Sequence, residues 1–251
     1  MRILYNDLWR GKTLTDSSEA TGYAGVNTQH PHLSKAWRSA TVSAEWVKID
    51  AGAAITADSL AIVGHNLTPA ATVKIQANSA DTWAPPALDL LGNPSDQLIL
   101  STFPSASYRY WRVYVDDPGN TSGYLTIGRV YLCARWESPE PIDQAFSLDE
   151  DDSTLVSSSI TGQLFADLGV VQRRYNLTMG TMKDVTKVAL NNVALSARFH
   201  DPVVVDPDDK ITVNGAPGIA RIYATMTKQP TFNAIGAWGW TDGGFEFREA
   251  L

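Results

Sequence analysis

Apolar and polar positions alternate with a period of two along most of this chain, and that period predicts strands. In Thr72–Asn78, Val73, Ile75 and Ala77 fall on one side and Thr72, Lys74, Gln76 and Asn78 on the other, as in a half-exposed strand. Residues 108–115, "YRYWRVYV", separate into Tyr108/Tyr110/Arg112/Tyr114 and Arg109/Trp111/Val113/Val115, and the second set is the expected core face. "EWVKIDAG" puts Val47 and Ile49 on one face and ends in an expected glycine turn. "SLAIVGHNL" is nearly all apolar up to Gly64, the pattern of a strand buried on both faces. "GYLTIGRVYLCA" is a further strand whose central glycine predicts a bulge or a close backbone approach. Strands at this spacing, with no amphipathic helix between them, predict a β-sandwich.

The later part of the chain starts the same way, with Tyr175, Leu177 and Met179 alternating with Asn176, Thr178 and Gly180. Over residues 181–199 the period changes. Val185, Val188, Ala189 and Asn192/Val193 recur at helical spacing, with Thr181 as the expected N-cap and Asp184 three residues on. Residues 201–209 predict a short strand between prolines, and 220–233 and 235–251 a closing pair of strands in which Phe245 and Phe247 alternate with Glu246 and Arg248. Between the two parts, "ESPEPIDQAFSLDEDDST" carries two prolines and the acidic run Asp149–Asp152. It lacks the glycine and closing glutamate of an EF-hand loop and predicts a solvated linker. The expected organisation is a β-sandwich at 1–137, an acidic, proline-bearing linker at 138–154, and a β-rich domain with one helix at 155–251.

Charge sharpens this division. The 251 residues are 44% hydrophobic and 19% charged, with a formal charge of -7. Residues 1–137 hold 11 basic and 12 acidic side chains, and residues 138–251 hold 9 and 15. An acidic chain with no basic stripe argues against nonspecific nucleic-acid binding. The single cysteine, Cys133, sits in an apolar run and predicts a buried small hydrophobe, so packing alone must hold the fold. No run of 18 apolar residues predicts a membrane span, and "MRILYNDLWRGK" lacks the apolar stretch of a secretory signal, so synthesis in a cytoplasm is expected.

Candidate chemistry is sparse. His30-Pro31-His32 has the look of a metal pair, but no third ligand stands at a recognisable zinc spacing, and no metal is expected. There is no Gly-x-Ser-x-Gly elbow, P-loop or dinucleotide fingerprint, and nothing singles out a carboxylate pair. No enzyme activity and no cofactor are expected. The ligand candidates are Trp83 and Asp81 in "ADTWAPP", with His30 and His32; a sugar site favours an aromatic face beside a few hydrogen-bonding groups. A strand-end tryptophan closing the sandwich is the competing reading of Trp83. Asn66 is expected to bond the turn that Pro69 stiffens, and His65 to meet a backbone partner at the sandwich edge.

The order "SSEATGY", Trp37-Arg38, "EWVKIDAG", "LAIVGHNL", "TVKIQANSADTW", "RYWRVYV" and "LTIGRVYL" resembles the galactose-binding-like (discoidin, factor 5/8 C-type) jelly roll over residues 5–135. The form with "GHNL" and "ANSADTW" looks most like versions in tailed-bacteriophage virion proteins, and residues 162–251 look like a C-terminal β-domain of tail and baseplate proteins. The resemblance implies a structural component of a phage tail tip or baseplate. Its partners would be other tail proteins and further copies of the chain in a symmetric assembly, and its location the virion. The alternative it implies is an adhesin module that recognises host surface glycans through loops near 16–27, 30–35 and 81–87.

Overall fold

The computed structural model describes residues 1–139, 147–207, 212–213, 216–217, 221–235, 239–242 and 244–250. The chain forms two compact units, Met1–Glu137 with Val203–Tyr223, and Ser138–Pro202 with Ala224–Leu251.

The first unit contains β1 (Arg2–Leu4), β2 (Thr13–Asp16), β3 (Trp37–Arg38), β4 (Glu45–His65), β5 (Thr72–Asn78), β6 (Leu88–Gly92), β7 (Leu98–Asp116), β8 (Thr126–Cys133) and β9 (Trp136–Glu137). Two strands run through both layers of a sandwich. The start of β4 pairs with the end of β7, and this layer continues in the order β2-β4-β7-β5-β6. The end of β4 pairs with the start of β7 and with β8, giving β3-β8-β4-β7. Val47, Ile49, Val73, Ile75, Trp111 and Val113 from the first layer share one core with Leu60, Ile62, Ile99, Ile127, Val130 and Leu132 from the second. This is the β-sandwich jelly roll, with every strand pairing antiparallel.

The expected glycine turn at the end of "EWVKIDAG" is instead a bend inside one strand. Gly52 takes φ +78°, the ladder slips between Asp50 and Ile55, and β4 carries on into the second layer. The apolar run Leu60–Val63 is buried on both faces, as its composition required. The back of its layer, with Ala61, Val63, Arg129, Tyr131 and Cys133, lies under other parts of the same unit. Leu8 N–H reaches the Leu132 carbonyl (2.7 Å), and the Tyr223 hydroxyl donates to the Pro31 carbonyl (2.9 Å). Gly128 allows the tight approach: a Cβ there would lie 3.1 Å from the Val63 carbonyl oxygen.

The second unit opens with β10 (Ser147–Asp152), β11 (Leu155–Ser158), β12 (Leu164–Asp167) and β13 (Val171–Leu177), followed by α1 (Asp184–Ala197). The acidic run expected in a linker is therefore strand. Asp149–Asp152 pair with Arg174–Val171 of β13, and Asp151 meets Arg248 at 2.8 Å, so a basic neighbour offsets the repulsion that suggested an unstructured run. Residues 140–146 of the predicted linker lie outside the described residues. α1 starts three residues later than its predicted cap. Met182 is held in a β-bridge to Trp240, and Lys183 is the N-cap, with no side-chain hydrogen bond. Asp184 in the first turn accepts the Trp240 indole N–H at 2.5 Å.

The chain then passes through β14 (Val203–Asp206), β15 (Thr212–Val213) and β16 (Ala216–Pro217), which belong to the first unit. The domain expected at 155–251 is thus interrupted. Val203, Val204 and Val205 are all buried, and β14 pairs with β1, which also pairs with β9. Burial of three successive apolar side chains means that this strand is covered on both faces. The last strands are β17 (Ile222–Lys228), β18 (Phe232–Ala234), β19 (Trp240–Asp242) and β20 (Phe245–Glu249). β20 lies between β13 and β17, and Phe245 and Phe247 are buried beside Tyr175 and Leu177 as their spacing predicted.

Candidate functional site

The most chemically distinctive place in the first unit is the loop end around Arg38. Its backbone is fixed by the loop it faces: Ala20 N–H donates to the Arg38 carbonyl (2.8 Å), and Arg38 N–H to the Tyr23 carbonyl (3.1 Å). Next to it the buried Trp37 donates its indole N–H to the Ser18 carbonyl (2.9 Å). The "SSE" opening explains why this loop is stiff. Ser17 and Ser18 hydroxyls both donate to Glu45, whose other oxygen takes the Thr41 hydroxyl at 2.5 Å. Glu45 is buried, and these hydroxyls replace the water it lost.

Opposite the loop, Asn66 fixes Tyr124. Its amide donates to the Tyr124 carbonyl (2.9 Å) and accepts from Thr126 N–H (2.7 Å). Asn120 donates to the Asn66 carbonyl (2.9 Å), and Asp117 holds Asn120 and Thr68. The expected bond from Asn66 to its own turn gives way to this longer reach, because Asp117 already serves the turn. His65 does meet a backbone partner: Nε2 lies 2.9 Å from the Asp96 carbonyl, and Nδ1 accepts Leu67 N–H at 3.3 Å. Nε2 therefore carries the proton, and burial holds this histidine below its ordinary pKa.

The result is a clasp. The Arg38 guanidinium carbon lies 4.1 Å from the centroid of Tyr23 and 4.1 Å from that of Tyr124. Nε is buried with no hydrogen-bond partner, and the terminal nitrogens bond to none of the described residues. Beside the clasp opens a cleft of about 360 Å³ lined by Gly22, Tyr23, Asn27, Ser34, Lys35 and Ala36. Asn27 donates to the Ala36 carbonyl (3.0 Å), which leaves its amide oxygen as an acceptor. Gly25, on the turn carrying Asn27, has no room for a side chain: a Cβ would lie 2.4 Å from Asp16 Oδ2, which accepts Gly25 N–H at 2.7 Å.

The predicted ligand residues lie elsewhere, in two separate pairs. Trp83 and Asp81 fold onto the outer face of the β2-β4-β7-β5-β6 layer. There Lys48 and Arg112 stand directly opposite each other, a like-charge pair. Asp81 relieves it by binding Lys48 at 2.5 Å, and Trp83 stacks on Arg112 (4.2 Å) while its indole N–H donates to Asp81 (2.8 Å). The hydrogen-bonded ammonium of Lys48 keeps the Asp81 carboxyl below the usual range. One face of Trp83 is thus covered by Arg112, and its indole N–H is taken by Asp81. His30 and His32 stack on each other (5.1 Å between centroids), and His30 Nδ1 accepts His32 N–H at 3.2 Å. The two pairs share no partner. Among the described residues no group of three histidines, cysteines or acids stands together as a metal site. Cys133 is fully buried, and burial first of all pushes its thiol well up, which leaves it protonated and inert.

Trp37-Arg38 is visible in the sequence as a motif, but the clasp is not. Its signal is spread over three separated segments, Tyr23, Arg38 and Tyr124, that no local spacing connects.

No family model matches the chain, and no curated protein sequence matches it. Among solved structures, similar ones include chitosan-binding module 1 of a chitosanase/glucanase from Paenibacillus sp. IK-5, at 18% identity and TM-score 0.42, covering 51% of this chain and 98% of that one. Another is the lectin domain of lectinolysin complexed with Lewis B antigen, at 14% identity and TM-score 0.44, covering 51% and 96%. A third is the CBM32 of AlyQ in complex with 4,5-unsaturated mannuronic acid, at 22% identity and TM-score 0.40, covering 51% and 96%.

Proposed function

We propose that the first unit is a carbohydrate-recognition module whose site is the cleft beside the Arg38 clasp. The carrying observation is the make-up of that cleft: a tyrosine face at Tyr23, with Asn27, Ser34 and Lys35 offering hydrogen bonds along its wall. Sugars are bound by this pairing of a flat apolar ring with a few placed polar groups. The frame behind it is rigid, since Glu45 and Asn66 tie down the facing loops, so little entropy is lost on binding. The sequence resemblance of residues 5–135 to galactose-binding-like modules supports the same reading.

The motif order also supports a setting in a phage tail tip, where the ligand is a glycan of the host surface and the partners are other tail proteins. A glycan array probed with the full chain tests the recognition. Wild type is expected to bind a restricted set of glycans, Tyr23→Ala to lose them, and Trp83→Ala to keep them. Failure of the wild type to bind any glycan would sink the reading. The setting has its own test: particles made without this protein are expected to be incomplete or to adsorb poorly, and fully infectious particles would remove it from the tail.

A further inference from the structure

Building on the carbohydrate reading of the same cleft, we infer that its ligand is an acidic saccharide whose carboxylate is taken by the outward edge of Arg38. The first ground is the want of an acid. In this unit Arg2, Arg109, Arg129, Arg135 and Arg221 each hold a carboxylate and Arg112 bonds the Gln76 amide, while Arg38 holds neither among the described residues. Of the acids of the same loop end, Glu19 is exposed and forms no ion pair with Arg38, and the other two are engaged elsewhere. Glu45 is bound by three hydroxyls, and Asp16 accepts the Gly25 N–H.

The second ground is geometry. Two tyrosine rings at 4.1 Å fix the plane of the guanidinium, and burial of Nε leaves the paired terminal nitrogens as the donating edge. A planar fork with two parallel donors matches a carboxylate, and its orientation is settled before the ligand arrives. Tyr23 belongs both to the clasp and to the cleft wall, so a saccharide resting against that ring in the cleft is a neighbour of the guanidinium. Lys35 on the same wall adds a second positive charge. In a chain of net charge -7, a positive pocket of this kind selects for anions by contrast with its surroundings.

The test is calorimetric titration of the full chain with a glucuronate-terminated disaccharide, its methyl ester and the neutral glucose-terminated analogue, alongside N-acetylneuraminic acid and inorganic phosphate. The acid is expected to bind about tenfold or more tighter than ester or neutral analogue, the span of one charge-assisted hydrogen-bond pair. Arg38→Gln should bring the acid down to the level of the ester without changing the ester itself. The side-chain nitrogen resonances of Arg38 should move on titration with the acid alone, which needs no variant to fold. Equal binding of acid, ester and neutral sugar would overturn the inference and leave carbohydrate recognition standing. Phosphate binding as tightly as the uronate would overturn the assignment to a saccharide carboxylate. Binding of no saccharide would overturn both.

Discussion

Arg129 and Arg38 stand on the paired strands β8 and β3, and each meets tyrosine, yet their surroundings are opposite. Arg129 is fully buried, bonded to the Asp7 carboxylate at 2.6 Å and to the Gln29 carbonyl, with its guanidinium 5.6 Å from the Tyr131 ring. Asp7 in turn accepts the N–H groups of Trp9 (2.9 Å) and Leu132 (3.2 Å). The Arg129 and Asp7 charges match each other inside the protein, although Arg129 Nε, like that of Arg38, is buried without a partner, and the knot ties the N-terminal segment to β8. Arg38 has the rings without the acid, and its donating edge is left for something outside. A cation whose partner is internal does structural work. A cation held rigid without a partner has its interaction still to make.

The comparison is broken most forcefully at Asp7. Burial pushes its carboxyl up to about 6 even though Arg129 draws it down, so the pair balances desolvation against attraction. Asp7→Asn leaves Arg129 buried without its counter-charge, and a loss of roughly 3–5 kcal/mol in urea denaturation is expected. Exchanging both members, Asp7→Asn with Arg129→Met, should recover much of that loss, because no charge is then stranded. A double variant as unstable as the single one would show that the pair is not the unit that matters. Next in size is Asn66→Ala. It takes the anchor from the Tyr124 carbonyl and the Thr126 N–H, and about 1–3 kcal/mol is expected. It should also weaken ligand binding at Arg38, because Tyr124 then wanders from the guanidinium. Unchanged affinity in this variant would detach the clasp from the site.

The layers of the first unit were legible because burial in a sandwich follows the pleat. Trp111, Val113 and Val115 are buried and Tyr110, Arg112 and Tyr114 are not, as the alternation predicts, but at the start of the run Arg109 of the expected core face reaches out to Asp50 while Tyr108 packs against the core. Leu60–Val63 shows the same logic for a strand covered twice. What escaped were features decided at a distance. Val203–Asp206 belongs to the first unit because β1 accepts it across some 200 residues, which no local pattern encodes. The acidic strand β10 depends on arginines from β13 and β20. At the site, Trp83 and Asp81 stood out as an aromatic beside an acid, but that pairing also answers the Lys48–Arg112 repulsion. The register that creates the repulsion becomes visible only once β4 and β7 are aligned.

A smaller effect, with a definite sign, comes from His65. Its folded pKa lies below the ordinary histidine value because burial disfavours the charged form, and its Nδ1 is already accepting the Leu67 N–H. The unfolded chain therefore binds the proton more readily. The contribution of His65 to stability is complete above about pH 6.5 and is lost as pH falls through the folded value. Chemical denaturation at pH 7 and pH 5 should show a drop that His65→Gln lacks. Parallel curves for the two proteins would mean that His65 titrates alike in both states.

The smallest expected effect on stability is the one that sharpens the comparison most. Arg38→Gln removes two ring contacts, each worth about 0.5–1 kcal/mol at a partly exposed position, and these favour the native residue. It also removes a buried Nε that bonds to nothing, and the unfolded chain keeps that group hydrated, so its loss favours the variant. The opposing contributions leave a net change within about 1 kcal/mol, against several for Asp7→Asn, while ligand affinity falls about tenfold. Side-by-side urea curves for the two variants decide the matter. If Arg38→Gln costs as much stability as Asp7→Asn, Arg38 is a brace like Arg129, and the cleft beside it loses its anion. If the curves separate as expected, the protein maintains at this loop end a positioned cation whose partner must come from a ligand.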